Sequence, residues 1–223
     1  MKRTLVIGDI HWGYKSLMQC LERSKFDYEN DELICLWDVV DWWPDSFEVV
    51  EELLKIKNLI YISGNHDEWC RQWLTDGSMP QIWTTQWGDK TISSYLAHWG
   101  RKNKKHLDFF NSWLLYCIHK NRLFVHGGLD LRKDIEKQTR KELEWNRELY
   151  YNRNNDFSIE PYKEIYVGHT STWNISKFPF ERNKVWFLDQ WGGWEGKLTI
   201  MDIDTKEYWQ SDKVQNLYIG FNH

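Results

Sequence analysis

Short apolar runs, each closed by a polar block, set the rhythm of this chain. Residues 4–7 read as a short buried strand that stops at Gly8-Asp9. Leu17, Met18, Leu21 and Phe26 follow at close to helical spacing and predict a helix over 14–26. Residues 32–36 predict a second strand, ending at Trp37-Asp38. Ser46 is placed to cap a helix over 47–57, with Val49, Val50, Leu53 and Leu54 inward. Residues 59–63 predict a third strand, ending at Gly64-Asn65-His66. Strand, polar block and helix therefore recur in that order. This is the rhythm of a mainly parallel sheet, whose ligands collect beyond the carboxyl ends of the strands.

Beyond it the pattern changes. Residues 67–110 are polar and rich in tryptophan, with helices predicted near 91–100 and 106–113, so about 67–113 reads as a helical lid. Residues 114–119 and 122–126 flank Lys120-Asn121, a hairpin signal. Residues 131–151 are charged and predict helix. Residues 164–167, 184–188, 197–203 and 207–209 predict strands of a second sheet, with a turn at Asp204-Thr205-Lys206. No Pro- or Ser-rich linker interrupts the chain, so 1–223 is read as one α/β domain with two packed sheets.

Composition narrows the partners. With 29 Lys+Arg against 33 Asp+Glu, the chain lacks the basic excess of a duplex-binding protein, and no stable nucleic-acid complex is expected. Cys20, Cys35, Cys70 and Cys117 form no Cys-x-x-Cys pair and read as reduced core thiols of a cytoplasmic protein. The apolar start is too short for a signal peptide, and no stretch has the length of a membrane span.

The polar blocks carry the chemistry. Asp9 and His11 alternate along what reads as an extended segment, which would turn both to one face. Asp38 has two carboxylate oxygens and can bridge two cations, while Asp41 can hold a neighbouring histidine. Asn65 is a neutral oxygen donor, and His66 can pass a proton to a leaving oxygen. Asp9 and Asp38 are 29 residues apart, and Asp38 and Asn65 are 27, each about one strand–helix unit. His126 precedes two glycines and His169 follows one, which permits close backbone approach. His98, His106, His119 and His223 lack that setting and are read as structural. Taken singly, each block is equally a turn or a cap. In order, they read as a site for two divalent cations, which can clamp both oxygens of an in-line phosphoryl displacement.

The ordered set, from Thr4 to about Ile203, resembles the calcineurin-like metallophosphoesterases, and within them the Ser/Thr phosphoprotein phosphatase branch of the bacteriophage lambda type. Leu143-Glu144-Trp145-Asn146-Arg147-Glu148, Leu188-Asp189 and Gly196-Lys197-Leu198-Thr199 belong to the same likeness. The resemblance implies a four-layer α/β/β/α sandwich of two mixed sheets flanked by helices. It implies that Asp9 and His11 bind one metal, that Asp38 bridges, and that Asn65, His126 and His169 bind the other. It implies that His66, oriented by Asp41, is the general acid and that Arg147 grips the phosphate. Manganese is the favoured metal, with iron, zinc and magnesium as alternatives. The substrate class is a phosphoprotein or other phosphomonoester. Nucleotides, dinucleoside polyphosphates or phosphorylated nucleic-acid ends are the rival substrates, and a non-catalytic metal scaffold is the reading from another class.

Two departures stand out. The family pattern has Arg-Gly after the second Asp of its second block, where this chain has Trp42-Trp43; Arg71, Arg101 or Lys102 could substitute. Of 16 tryptophans, Trp12, Trp37 and Trp191 occupy glycine-like slots. They either line the site with aromatics or stand for UGA codons that the source organism reads as glycine.

Overall fold

The alternation of strand and helix predicted for the first part of the chain is present in the computed structural model, which describes residues 2–11, 13–36, 38–98, 100–152 and 157–220. It runs β1 (Thr4–Ile7), α1 (Tyr14–Arg23), β2 (Glu32–Cys35), α2 (Ser46–Leu53) and β3 (Asn58–Tyr61). Helices α3 (Asn65–Asp76), α4 (Gln81–Thr84), α5 (Gly88–His98) and α6 (Lys104–Asn111) follow. Then come β4 (Tyr116–His119), β5 (Arg122–Val125), α7 (Arg140–Trp145), α8 (Glu148–Tyr151) and β6 (Glu164–Val167). The described chain closes with β7 (Phe180–Arg182), β8 (Val185–Phe187), β9 (Thr199–Asp202), β10 (Tyr208–Gln210) and α9 (Val214–Leu217).

The strands form two five-stranded mixed sheets, β10-β9-β1-β2-β3 and β4-β5-β6-β8-β7. Strands β1, β2 and β3 are parallel, with Val6 opposite Ile34 and Ile34 opposite Ile60. Strands β5, β6 and β8 are parallel in the other sheet. Side chains alternate across a strand, and the core follows that alternation. Val6, Ile34 and Met201 meet Phe124, Tyr166 and Leu188 between the sheets. Leu5, Ile7, Leu33 and Cys35 face outward onto α1 and α2, and Leu123, Val125, Ile165 and Val167 face Leu143 and Leu149 of α7 and α8. Helix, sheet, sheet and helix therefore stack as four layers. The segment read as a lid adds Cys70, Trp73, Trp83, Tyr95 and Phe110 to the same outer cluster as α1 and α2.

Three predicted features differ. Strands β9 and β10 were expected in the second sheet, but β9 pairs antiparallel with β1, Met201 opposite Val6. Ile200 and Met201 are buried on opposite faces, and a run buried on both faces carries no sign of which sheet it joins. Ser46 is the first helical residue rather than the cap; Asp45 precedes α2, and its carboxylate accepts the Tyr218 hydroxyl at 2.6 Å. The charged stretch 131–151 is broken, because Asn146 is extended (ψ 134°) between α7 and α8, and Thr139 and Glu142 cap each other at the start of α7. The hairpin at Lys120-Asn121 is as predicted, with φ of 47° and 58° in a two-residue turn between antiparallel β4 and β5.

Candidate metal centre

Asp9, Asp38 and Asn65 follow β1, β2 and β3, while His126 and His169 follow β5 and β6. Two groups of donors result. Asp9, His11 and Asp38 form one, Asp38, His126 and His169 the other, and within each the ligand atoms lie within 4.8 Å of one another. Asp38 belongs to both. Its Oδ2 is 3.5 Å from His126 Nε2 and 4.0 Å from His11 Nε2, while its Oδ1 accepts the His66 backbone N–H at 3.2 Å. Asn65 Oδ1 lies 3.1 Å from His126 Nε2. Asp9 Oδ2 accepts the His169 N–H at 3.0 Å, which ties the two sheets together across the centre. That approach requires glycine before the histidine, since a Cβ on Gly168 would stand 2.1 Å from Asp9 Oδ1.

The Asp9–His11 segment is a turn rather than extended. His11 has φ 41°, its N–H donates to the Asp38 carbonyl at 2.7 Å, and Gly13 N–H donates back to Ile10. The turn still brings Asp9 Oδ2 to 3.9 Å from His11 Nε2. Asp38 (φ 36°), Asp41 (72°) and His169 (58°) share the left-handed region with His11. Such conformations are costly for non-glycine residues and cluster where neighbours over-determine them.

Burial drives the electrostatics. It raises the Asp9 and Asp38 carboxyls well above their ordinary range, helped by Asp189 at Asp9 and by Asp67 at Asp38. It pushes Asp67 to about 7 and Asp189 to about 6. The same desolvation holds His11 and His169 down at about 3 and keeps His126 low, so the imidazoles are neutral. Buried carboxylates are costly without a positive partner, and neutral imidazoles are what cation ligation requires. The oxygen and nitrogen donor set therefore fits divalent Mn, Fe, Zn or Mg.

Beside the donors lies a buried dyad. His66 Nδ1 is 2.5 Å from Asp41 Oδ2, and Asp41 also accepts Thr91 Oγ1 at 2.5 Å and Trp83 Nε1 at 2.8 Å. Burial raises Asp41 and lowers His66 to about 3. Arg147, at the start of α8, places Nη2 3.0 Å from His169 Nε2. The other candidate arginines are engaged elsewhere. Arg71 pairs with Glu68 at 2.8 Å, and Arg101 reaches the Trp73 carbonyl at 3.5 Å.

Some contributors were not singled out from sequence. Asp67 accepts the Val39 N–H at 3.0 Å and the Gly64 N–H at 3.2 Å, clamping the loops that carry Asp38 and Asn65. Its adjacency to Asn65-His66 was the available signal. Trp83 and Thr91 lie 42 and 50 residues from Asp41, and nothing local marks them. Trp42 stands where the family has arginine, with its ring 4.4 Å from that of His11 and a φ of 91°. Trp191 has φ 63°, and its N–H donates to Asp189 at 2.8 Å. Trp12, Trp37 and His223 lie outside the described residues.

The sequence model of the calcineurin-like phosphoesterases matches residues 2–212. The chain belongs to that family. As a calcineurin-like phosphoesterase it is a hydrolase acting on phosphoric ester bonds. The serine/threonine-protein phosphatase 1 of Salmonella typhimurium is 24% identical over 204 residues, covering 89% of this chain and 90% of that protein. The symmetrical bis(5'-nucleosyl)-tetraphosphatase of Coxiella burnetii is 35% identical over 66 residues, 30% of this chain and 23% of that protein. A solved structure described as a candidate diadenosine tetraphosphatase superposes with a TM-score of 0.70 at 18% identity, covering 94% of this phosphoesterase and 92% of that chain. A protein serine/threonine phosphatase of Saccharomyces cerevisiae superposes with a TM-score of 0.58 at 16% identity, over 94% and 79% of the two chains. These two likenesses are of fold.

Proposed function

We propose that this phosphoesterase hydrolyses phosphomonoesters at a pair of divalent cations, in the manner of a Ser/Thr protein phosphatase. The observation that carries the reading is the pair of donor groups sharing Asp38. The near full-length match to a bacterial serine/threonine-protein phosphatase supports the substrate class. Asp9 and His11 hold one cation, Asp38 bridges, and Asn65, His126 and His169 hold the other, with manganese favoured. When bound, the cations supply Lewis acidity that activates water and offsets phosphate charge.

The chain's own groups do the rest. Arg147 reaches toward the space beside His169, where its planar fork grips non-bridging phosphate oxygens as charge builds on them. Asp41 fixes the His66 ring through Nδ1, and a proton held by the Asp41–His66 pair passes from Nε2 to the departing alkoxide. Thr91 and Trp83 hold Asp41 in turn. The partner is a phosphorylated substrate, and no helix among the described residues is long and apolar enough to cross a membrane. The test is turnover of p-nitrophenyl phosphate and of a phosphoserine peptide with added Mn. Activity that survives exhaustive chelation sinks the reading. A second reading, a nucleotide phosphohydrolase, is favoured by two tryptophans beside His66 and His169.

A further inference from the structure

The loop that follows β6 carries His169 and then runs on to the surface. The Thr172 N–H and hydroxyl both donate to the Asp189 carbonyl at 2.9 Å, and Trp173 comes next, partly exposed. A second loop, over 191–196, reaches the same surface from the other side of the centre. It packs so closely on His11 that a Cβ on Gly193 would stand 2.8 Å from His11 Cδ2. At its end the Gly196 carbonyl accepts the Val214 N–H at 2.9 Å, which fixes Lys213 just ahead of α9. Lys213 Nζ lies 5.7 Å from the centroid of the Trp173 ring, and Lys177 Nζ lies 4.9 Å from it. Gln210 of β10 holds the Lys177 carbonyl at 2.9 Å. This surface is therefore built on two loops that also touch candidate metal donors.

Its charge is unmatched. One cation over an indole is attracted by the ring, but two brought to one ring repel each other unless an anion joins them. Neither Lys177 nor Lys213 pairs with a carboxylate among the described residues, whereas Lys104, Lys105 and Lys137 all do. Asp212, the acidic neighbour of Lys213, is taken by Arg23 at 2.9 Å and by Gln19 at 3.1 Å. Beside the lysines, Phe178 and Ile175 are 55% and 48% exposed, and the Phe178 ring is 6.4 Å from Tyr208 of the edge strand β10. Exposed apolar groups beside complementary charge mark an interaction surface. A nucleic-acid backbone would use the lysines and leave Ile175 idle. A polypeptide with carboxylates and an apolar side chain uses both.

We propose that Trp173, Lys177, Lys213 and Phe178 form a docking surface for the polypeptide around the phosphorylated residue, and that the preferred substrates are phosphoproteins with acidic and apolar residues near the phosphoserine. This rests on the phosphoprotein reading above and narrows it. Trp173 is four positions beyond His169, a reach of at most about 14 Å at roughly 3.3–3.6 Å per residue. An extended substrate covers that distance in about four or five residues, so the acidic positions fall that close to the phosphoserine.

The experiment uses the full Mn-loaded chain. The quantity measured is kcat/KM on a phosphoserine peptide flanked by Glu and Leu, on the same peptide with Gln for Glu, and on p-nitrophenyl phosphate. The proteins are wild type, Lys177→Ala/Lys213→Ala, Lys177→Glu and Phe178→Ser. Wild type is expected to favour the acidic peptide by roughly fivefold, through KM rather than kcat, and the preference should shrink as salt screens it. The double alanine variant should lose the preference, Lys177→Glu should reverse it, and Phe178→Ser should weaken both peptides alike. p-Nitrophenyl phosphate is too small to reach the patch, so its turnover should stay within about twofold in every variant, as is usual for surface substitutions. Equal rates on the two peptides in wild type, a preference that survives in the double variant, or one that salt leaves unchanged overturns the proposal. So does a Phe178→Ser variant that handles both peptides as wild type does. A parallel loss on p-nitrophenyl phosphate means a structural role and overturns it as well. Inhibition by a single-stranded oligonucleotide at lower concentration than by the dephosphorylated acidic peptide gives the patch to nucleic acid instead. Binding of that dephosphorylated peptide, followed by fluorescence anisotropy, separates the two levels of argument. If no ester is turned over, the phosphoesterase reading fails, but peptide binding that the double variant loses still upholds the docking surface. Absence of binding to wild type ends it.

Discussion

The first sheet delivers Asp9, His11, Asp38 and Asn65 to the centre, with Asp41 and Asp67 behind them, whereas the second delivers His126 and His169, with Arg147 alongside. Burial acts in opposite directions on carboxyls and imidazoles. It lifts the carboxyls, most of which stand in the first set, and depresses the imidazoles, His11 of the first set included. The first half concentrates negative charge, and the second brings neutral donors and a guanidinium. Neither half alone holds both donor groups. Asp38 spans them, and the His169 N–H to Asp9 contact holds them in register. The difference teaches that the sheet pairing is itself part of the site, so the useful perturbations act on one half while the other is watched.

The largest effect is expected at the residue common to both donor groups. Asp38→Asn should nearly abolish turnover and lower metal content at both positions, because a neutral amide bridges poorly. Elemental analysis is the check, and two tightly held ions in the variant would break the bridging assignment.

His66→Asn leaves the donor groups in place and removes the proposed acid. Loss of general acid catalysis typically costs about 10²–10⁴-fold. A phosphoserine substrate should suffer heavily and p-nitrophenyl phosphate much less, since an activated phenolate leaves without a proton. Equal slowing of both, with metals retained, would assign His66 to phosphate positioning instead.

Chelation sharpens the charge contrast. Cations at about a hundred times their dissociation constant stabilise a fold by about 2.7 kcal/mol, so EDTA should lower Tm by several degrees. The pH dependence of the metal-free protein follows from opposed shifts. The raised carboxyls make the fold bind more protons than the unfolded chain above their ordinary value of 3.8, so their stabilisation fades as pH rises, through about 6 at Asp189 and about 7 at Asp67. The depressed histidines act the other way, and their effect is complete once pH exceeds 6.5. Above pH 6.5 only the carboxyls remain, so metal-free Tm should fall from pH 6.5 to 8, and Mn should restore it most at pH 8. A metal-free Tm that rises over this interval would contradict the charge assignment.

Arg147→Ala perturbs the second half alone. A charge-assisted contact is worth roughly 1.5–3 kcal/mol, about one to two decades in kcat/KM, with metal content unchanged. Arg71 and Arg101 point elsewhere, so neither should rescue the loss. Unchanged kinetics would remove Arg147 from the phosphate grip.

Much of this was legible in the residues themselves. Polar blocks at strand ends are visible because apolar runs stop there, and the parallel strand–helix rhythm puts Asp9, Asp38 and Asn65 at one sheet edge. What was not legible depended on partners far along the chain. The placement of β9 beside β1, and of Trp83 and Thr91 on Asp41, is decided by tertiary packing that no local window contains. The Asp9–His11 turn escaped because alternation in sequence looks the same whether the backbone is extended or folded by a hydrogen bond to Asp38.

The smallest effect, and the most pointed about the sequence, concerns Trp191. It has φ 63°, and Trp42 (91°) and Trp87 (68°) share the left-handed region among the described residues. A side chain with a Cβ costs roughly 1–2 kcal/mol in that region, where glycine is at ease. Trp191 is partly exposed, and its ring lies parallel to Trp194 at 6.3 Å, so some packing offsets the strain. If strain outweighs packing by about 1 kcal/mol, Trp191→Gly should raise Tm by roughly 2–4 °C. Asp189 should keep its contact with the N–H at this position, because that donor is backbone, and turnover should stay within about twofold, since the substitution leaves every donor in place. A lower Tm would make the indole a genuine packing element and would favour an aromatic-lined site. The gene gives the independent check. UGA at codons 12, 37 and 191, in an organism that reads it as glycine, would explain why these tryptophans fall on glycine slots. TGG at all three would end that explanation and leave the strain at Trp191 as a property of the protein itself.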